Sequence, residues 1–301
     1  MTNSLKEKIV IGTWALSGDF GKLQTKHSED VINYAISKGF SEFDTAPVYG
    51  KGKSEKILSK ACQSYNFLKI NTKCGYDLDL KKKTFRLNHI VETVNKSIDL
   101  FGKINILYLH NPRKEIKNWH KTINLLNELK KQKKIKYTGI SLAHDFNYDE
   151  KIVNKFDCIQ NEFNLLRPQT KINLSKIKKT IYARSPFASG ILNSEFNLNK
   201  NFLIGDQRKN WLVKDRLVNI YNQKKEIEKI CDDKIENYAL KFVLNSSLYK
   251  KVIVGIKKKS HVDFIYKIHL NKKLKITKKF LSNLDNLHNK NFFLIKNSKL
   301  Y

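Results

Sequence analysis

Short apolar segments alternate with longer amphipathic segments along nearly all of this chain of 301 residues. The longer segments, such as 30–36, 90–101 and 123–129, carry apolar residues at the i, i+3, i+4 and i+7 positions. That spacing is typical of an α-helix that buries one face. The short segments are rich in β-branched and aromatic residues and are predicted to be strands: 8–14, 41–46, 68–74, 104–110, 136–142, 158–164, 180–185 and 251–255.

The regular order of strand, helix and strand predicts parallel strands joined by right-handed crossovers. Eight such strands in a chain of this length favour the α/β class and a closed (β/α)₈ TIM barrel. The alternative is a doubly wound open sheet, which needs a G-x-G-x-x-G turn after its first strand. The glycines that follow the first predicted strand, Gly18 and Gly21, lack this spacing. The pattern therefore favours the barrel.

Residues 1–301 are predicted to form this single domain, with 271–301 as a C-terminal helix and tail. Apolar residues have helical spacing within the tail: Phe280, Leu281, Leu284 and Leu287. All four prolines fall at or just past the end of a predicted strand, where they interrupt no ladder: Pro47, Pro112, Pro168 and Pro186. The loops at these strand ends are where such a barrel carries its active site.

The formal net charge of +30 raises the possibility of a nucleic-acid partner. The charge is almost entirely lysine and is spread along the whole chain, whereas arginine, which suits bidentate recognition of bases and phosphates, occurs at only six positions. This distribution favours a solvated surface, and no specific nucleic-acid partner is predicted. No apolar run approaches the roughly 20 residues that span a bilayer, so no membrane segment is predicted.

The four cysteines are far apart in the sequence and include no C-x-x-C pair. They are typical of free thiols in a reducing compartment, so a cytoplasmic location is predicted, with neither disulfides nor a metal site. The N-terminal segment has lysines before a short apolar run, which superficially resembles a signal peptide. Gly12 and Trp14 interrupt the run and no cleavage site follows, so a first core strand is the better interpretation.

Polar residues stand at the ends of three consecutive predicted strands: Asp44, Lys73 and His110, with Tyr49 five residues after Asp44. Singly, these could be a turn former, a solvated charge, a core histidine and a rim aromatic. Together they converge on one mouth of a barrel, where a buried aspartate and lysine must pair. A tyrosine beside that ammonium is expected to have its pKa lowered from about 10 toward the working pH. Such a phenol can act as a general acid.

At these positions the sequence resembles the aldo/keto reductase family. The run F-D-T-A-P-V-Y-G at 43–50, followed by K-S-E at 53–55, matches the first signature of the family. The lysine of N-T-K-C and the histidine of L-Y-L-H-N-P stand where the family has its catalytic tetrad. The resemblance continues in order to roughly residue 290, so it does not depend on one short motif.

The resemblance implies an NADPH-dependent reductase that converts a small-molecule aldehyde or ketone to an alcohol, and it leaves sugar-derived carbonyls open as one class of substrate. Hydride passes from the nicotinamide to the carbonyl carbon while Tyr49 protonates the oxygen. Lys73, held by Asp44, polarises Tyr49, and His110 orients the carbonyl by a hydrogen bond. Electrostatic preorganisation around the developing alkoxide is expected to contribute most to the rate.

Cofactor contacts are also implied by matching positions. Ser141 and Gln160 match the residues that hold the carboxamide, although Leu142 follows Ser141 where the family often has asparagine. The end of the seventh strand, which flanks the nicotinamide and the pyrophosphate, is matched by Arg184, Ser185, Pro186 and Phe187.

The adenosine end of the cofactor is expected to lie at Gly255, Lys257, Lys258 and His261. The three lysines 257–259 before a predicted helix suit a 2′-phosphate, which favours NADPH over the alternative, NADH. Phe264 and Ile265 stand where the family usually has a Glu-Asn pair that holds the adenine. A weaker or different adenine contact is therefore expected.

Trp14 and Tyr76 are predicted to line the substrate pocket, and further candidates are Asp19, Phe20, Trp119 and the loop 192–211. These residues suit either sugars or small aldehydes. The resemblance also leaves a second function open: an NADP-binding barrel that acts as a regulatory or redox-sensing subunit with little turnover, as the potassium-channel β subunits of the family do.

Overall fold

A computed structural model of the chain describes residues 3–168, 172–198, 202, 204–271 and 274–290. Its strands are β1 (Ile9–Gly12), β2 (Glu42–Asp44), β3 (Lys69–Cys74), β4 (Tyr76–Asp77), β5 (Lys82–Lys83), β6 (Ile104–His110), β7 (Ile135–Ser141), β8 (Cys158–Glu162), β9 (Thr180–Arg184) and β10 (Lys251–Gly255). Eight of them close a parallel barrel in the order β1-β2-β3-β6-β7-β8-β9-β10. The predicted fold class is confirmed, and every boundary of the eight barrel strands lies within two residues of its prediction.

Helices cover the outside of the barrel. They are α1 (Asn3–Lys8), α2 (Thr25–Ser37), α3 (Lys53–Ser64), α4 (Leu87–Phe101), α5 (Trp119–Lys131), α6 (Glu150–Val153), α7 (Lys214–Glu228), α8 (Ile235–Asn245), α9 (Lys259–Leu270) and α10 (Lys278–Lys290). In α4, Ile90, Val94 and Ser97 are buried at i, i+4 and i+7, which is the apolar stripe expected of a helix packed on a sheet.

Apolar side chains fill the lower half of the barrel interior. The inner cluster consists of Val10, Ile106, Tyr108, Cys158, Tyr182 and Ile253. A Cβ added at Gly139 would lie 2.4 Å from the ring of Tyr108, so glycine on β7 makes room for this ring. Glu42 also lies in this lower layer, bonded to Asn71, and the polar side chains of the candidate site gather above it, at the C-terminal ends of the strands.

The short antiparallel hairpin of β4 and β5 was not predicted from the sequence. It follows Gly75, whose φ of +107° is readily available only to glycine. A Cβ at Gly75 would stand 2.0 Å from the ring of Phe85, which is buried. The ring of Phe85, which follows the hairpin, therefore packs into the space that the missing side chain of Gly75 leaves.

The C-terminal helix α10 packs Phe280 against Tyr238, with ring centroids 4.7 Å apart. The rest of the predicted tail, 291–301, and parts of the loop 192–211 lie outside the described residues. Within the described ranges, no helix has the length and apolar character to cross a membrane. The same ranges contain no group of three or more His, Cys, Asp or Glu side chains placed to hold a metal ion.

Candidate active site

The carboxyl ends of β2 and β3 bring Asp44 and Lys73 into a buried ion pair. The Nζ of Lys73 donates to Oδ1 of Asp44 at 2.5 Å and to the carbonyl oxygen of Thr45 at 2.7 Å. The two side chains are 1% and 5% exposed, so both charges are removed from water. The predicted pairing of this aspartate and lysine is confirmed in the geometry. Such a pair persists only because each charge has a close partner.

Tyr49 and His110 stand beside this pair and complete one contiguous group. The Nζ of Lys73 lies 4.9 Å from the centroid of the Tyr49 ring. The imidazole of His110 meets the same ring edge-on, with centroids 6.1 Å apart. On its other side Tyr49 stacks on Trp14 at 5.4 Å. Tyr49 and His110 are both partly exposed, so this is the part of the group that a ligand in the mouth can reach.

The expected lowering of the Tyr49 pKa is wrong. Burial raises the pKa of Tyr49 above its usual value of about 10, and the opposing charge of Lys73 does not outweigh it. Burial also acts against the ammonium of Lys73, but Asp44 and Tyr49 overcome it and the pKa of Lys73 is raised. At neutral pH the phenol therefore keeps its proton, which is the form that a proton donor needs.

His110 is a neutral imidazole in this setting. Its pKa is lowered well below about 6.5, first by burial and then by the positive charges of Lys73, Arg184 and Lys83. A neutral imidazole can donate a hydrogen bond to a carbonyl oxygen without carrying a charge. These three cations all act on the pKa of the ring, which is a property of the mouth that the sequence did not reveal.

A chain of buried amides and hydroxyls connects Asp44 to the opposite wall. Gln160 donates from Nε2 to Oδ2 of Asp44 at 2.9 Å. The Oγ of Ser141 lies 3.0 Å from Oε1 of Gln160 and 3.0 Å from Oδ1 of Asn111. Ser141 and Gln160 are each only 1% exposed, whereas Asn111 is half-buried at the mouth. Asn111 is thus the member of this chain that a ligand reaches first.

Sequence reasoning did not single out Asn111. Its φ of 50° is in the left-handed region, which asparagine tolerates better than most residues. Its backbone N–H donates to the carbonyl of Ser141 at 2.9 Å and secures it directly after His110. The available signal was an asparagine immediately after a strand that ends in histidine. An amide beside a serine and a glutamine matches the donors and acceptors of a carboxamide.

The end of β9 forms a tight, unusual turn. Ser185, Ala188 and Ser189 all have positive φ values of 60°, 44° and 58°. Backbone in this region is costly for residues other than glycine and concentrates at ligand sites. Arg184 donates from Nη2 to the carbonyl of Leu142 at 3.2 Å, and Leu142 is itself buried.

The remaining predicted residues of this turn differ in exposure. Pro186 is buried, whereas Phe187 is half-buried and meets Phe264 at a centroid distance of 6.0 Å. Phe264, which stands where an adenine contact is usual, therefore packs against the turn.

The end of β10 has an open surface with two lysines next to it. Gly255 is exposed, and a Cβ there would meet nothing within 4 Å. Lys257 is half-buried, and its Nζ donates to the carbonyl of Phe20 at 2.6 Å, while Lys258 is exposed just before α9. Burial lowers the pKa of His261 to about 4, and its Nδ1 accepts from the backbone N–H of Lys257 at 3.2 Å. This surface therefore combines open backbone at Gly255 with the positive charges of Lys257 and Lys258.

Asp19 holds the aromatic wall in place. Its Oδ2 accepts from Nε1 of Trp14 at 2.9 Å and from the backbone N–H of Gly50 at 2.9 Å. Its carbonyl and its Oδ1 accept from the backbone and side chain of Gln207 at 2.7 Å and 2.8 Å. The segment around Gln207 is therefore tied to the loop after β1, and Trp14 is positioned over Tyr49.

The other residues predicted to line the substrate pocket lie in different parts of the structure. Phe20 meets Trp14 edge-on at 4.8 Å and belongs to the aromatic wall. Tyr76 is half-buried in the hairpin beside the mouth, opposite Lys83. Trp119 packs instead against Phe156 in the helical layer, with centroids 6.5 Å apart. Its position at the start of α5 turns it toward that layer.

Comparisons with known proteins agree with this architecture. The chain is 29% identical over 180 residues to a versiconal hemiacetal acetate reductase of Aspergillus parasiticus. That match spans 48% of this chain and 51% of the fungal protein, so it covers about half of the relative's length. An NADH-specific methylglyoxal reductase of Escherichia coli is 23% identical over 293 residues, which are 84% of this chain and 87% of that protein.

Among solved structures, a glycerol dehydrogenase of Gluconobacter oxydans superposes with a TM-score of 0.73 at 21% identity. The superposition covers 93% of this chain and 90% of that one, and it supports the fold. The model of the aldo/keto reductase family matches residues 8–288. The chain therefore belongs to the aldo/keto reductase family, a family of NAD(P)H-dependent oxidoreductases.

Proposed function

We propose that this protein reduces an aldehyde or ketone to an alcohol with NADPH. The observation that carries the proposal is the desolvated Asp44–Lys73 pair beside a protonated Tyr49 and a neutral His110 at one open mouth. A proton donor and an uncharged hydrogen-bond donor are what reduction of a carbonyl requires of the protein.

The cofactor supplies the hydride chemistry when it is bound. His110 donates a hydrogen bond to the carbonyl oxygen of the substrate and fixes its orientation beside Tyr49. Tyr49 transfers its phenolic proton to that oxygen as negative charge develops there. The ammonium of Lys73 stabilises the phenolate that remains, and Asp44 keeps Lys73 charged and in place.

The residues proposed to hold the cofactor lie between the centre of the mouth and α9. Asn111 is proposed to bind the carboxamide, with Ser141 and Gln160 positioning it from behind. The turn after β9, from Arg184 to Phe187, is proposed to flank the nicotinamide and the pyrophosphate.

Gly255 leaves open surface for the adenosine end, beside His261. Lys257 and Lys258 lie where a 2′-phosphate would be met by positive charge, which supports NADPH over NADH. Because one relative is named as NADH-specific, the choice between the two cofactors is tested below by mutation.

The test of the proposed function is the steady-state oxidation of NADPH and of NADH by a panel of small aldehydes, ketones and sugars. Sustained multiple turnover with any of these carbonyls supports the proposal. Tight NADPH binding without multiple turnover would support the alternative of a regulatory barrel. A potassium-channel β subunit of Schizosaccharomyces pombe, putative in name and 26% identical over 209 residues, favours keeping that alternative in the test.

A further inference from the structure

Positive charges surround the mouth, and most of them have carboxylate partners. The paired cations are Lys73 with Asp44 at 2.5 Å, Arg113 with Asp145 at 2.6 Å and Arg184 with Glu162 at 4.0 Å. Lys83 differs from these three. Among the residues that the structure describes, no carboxylate lies within ion-pair distance of its ammonium, which donates to the carbonyl of Asn111 at 2.7 Å.

The fold brings Lys83 next to a residue that is predicted to line the substrate pocket. Lys83 on β5 is directly opposite Tyr76 on β4, so the two side chains share one face of the hairpin. The left-handed conformation of Asn111 accompanies the contact between its carbonyl and Lys83. Asn111 directly follows His110, so the ammonium lies close to the group that is proposed to orient the carbonyl.

The negative charges near Lys83 do not outweigh its burial and its positive neighbours. Lys83 is half-buried, and its pKa is lowered to about 8, first by burial and then by Arg113, with Arg184 adding to the effect. The carboxylates of Glu115 and Asp145 act in the opposite direction but do not overcome it. Lys83 also lowers the pKa of His110. An ammonium in such a place is stabilised by an anion that binds next to it.

We propose that Lys83 binds an anionic group, a carboxylate or a phosphate, that the carbonyl substrate carries a few bonds from its reacting carbon. This inference rests on the proposed reductase function and narrows its substrate class. The cofactor is a poor candidate for this contact. The anionic part of the cofactor is its pyrophosphate, which is proposed to lie at the end of β9. Lys83 belongs to the hairpin after β3, and β3 lies across the barrel from β9.

Matched pairs of carbonyls test the proposal. Succinic semialdehyde is compared with butanal, and glyceraldehyde phosphate with glyceraldehyde, in the wild type and in the Lys83→Met, Lys83→Arg and Lys82→Met variants. Lys82 is the matched control because it is exposed on the same hairpin. A charge-assisted hydrogen bond to the anion corresponds to roughly a tenfold to hundredfold preference in kcat/KM.

The wild type is expected to prefer the anionic member of each pair, chiefly through a lower KM. Lys83→Met should reduce the ratio of anionic to neutral kcat/KM by about tenfold or more, and Lys83→Arg should retain most of it. Lys82→Met should leave the ratio unchanged. An equal loss for both members of a pair in Lys83→Met would overturn the proposal and identify Lys83 as an anchor of the hairpin.

A binding measurement separates this inference from the proposed function. If no carbonyl of these pairs or of the wider panel is turned over, the reductase proposal fails, and calorimetric titration of succinic semialdehyde then decides the role of Lys83 without turnover. Weaker binding to Lys83→Met than to Lys82→Met would support the anion site. Equal binding to the two variants would exclude it.

Discussion

Two carboxylates on β2, only two residues apart, face the interior of the same barrel and have opposite surroundings. Glu42 lies in the lower layer, where it accepts from Asn71 at 2.8 Å, from Tyr182 at 3.1 Å and from Lys251 at 2.9 Å. Asp44 lies at the mouth and accepts from Lys73 and Gln160. Residues i and i+2 of a strand share one side, so the barrel repeats one carboxylate–lysine arrangement at two levels.

The difference between the two levels lies in what stands next to each pair. Beside Glu42, Tyr182 is buried and its hydroxyl donates to the carboxylate. The pKa of Tyr182 is raised by burial and by Glu42. Beside Asp44, Tyr49 and His110 remain partly exposed at the mouth. The proposed role in catalysis of the Asp44–Lys73 pair therefore depends on the proton-bearing groups beside it that are open to the mouth, and the Glu42–Lys251 pair has a buried tyrosine in that place.

The largest expected effect comes from removing one hydroxyl at each level. Tyr49→Phe should lower kcat by roughly 10²–10⁴-fold, because this hydroxyl donates a proton in the transition state, and it should leave NADPH affinity nearly unchanged. Tyr182→Phe should leave kcat near the wild-type value and cost about 1 kcal/mol of unfolding free energy. Single-turnover kinetics, fluorescence titration of NADPH and urea unfolding measure the three quantities. Near-wild-type turnover by Tyr49→Phe would refute its assignment as the proton donor.

Removing the lysine of each pair should affect stability unequally. Lys73→Met should abolish turnover and lower the unfolding free energy by about 3–5 kcal/mol, because Asp44 is left buried and unpaired. Lys251→Met should cost less, since the side chain of Lys251 is 23% exposed and Glu42 keeps Asn71 and Tyr182. Urea unfolding of both variants checks the order. Equal losses would show that the two pairs are equally desolvated.

The rim of the mouth gives the next effect. Replacing Lys257 and Lys258 together by alanine should weaken NADPH binding by about a hundredfold or more and leave NADH binding nearly unchanged, if each ammonium meets the 2′-phosphate. Because Lys257 already donates to Phe20, Lys258→Ala alone should account for the larger share. Titration of both cofactors at low and high salt is the measurement. A similar weakening of NADH binding would show that the two lysines contribute only a general positive field and do not contact the 2′-phosphate.

The last expected effect is a pH dependence of stability that comes from His144, whose Nδ1 lies 3.8 Å from Oε2 of Glu162. Burial, followed by Arg167, lowers the pKa of His144 to about 4, while Glu162 acts in the opposite direction. The folded pKa lies below the unfolded value of about 6.5, so this histidine favours the folded state fully above pH 6.5, and stability is lost as pH falls toward 4. His144→Gln should remove about 1.4 kcal/mol of that loss per pH unit. Thermal melting from neutral to acid pH measures it, and exposed His120→Gln is the matched control.

The barrel strands and the four candidate catalytic side chains were predictable because each depends on a local pattern, apolar runs in one case and a spaced motif in the other. The hairpin was missed because strands of two residues are too short to show alternation. The direction of the Tyr49 pKa depends on how far Trp14 and its neighbours bury the ring, which no spacing reveals. Asn111 and Lys83 gain their roles from a backbone conformation that brings them together.

The Gly75–Phe85 contact couples two positions in the evolution of this protein. Because a Cβ at 75 would stand 2.0 Å from the ring at 85, a side chain at the first position requires the ring at the second to shift. We expect relatives to vary the two together, with glycine wherever position 85 is aromatic. A paired change would alter the base of the hairpin that carries Lys83 without altering any of the four candidate catalytic residues. If Lys83 binds the substrate as proposed, substrate preference then depends on residues that take no part in the reaction.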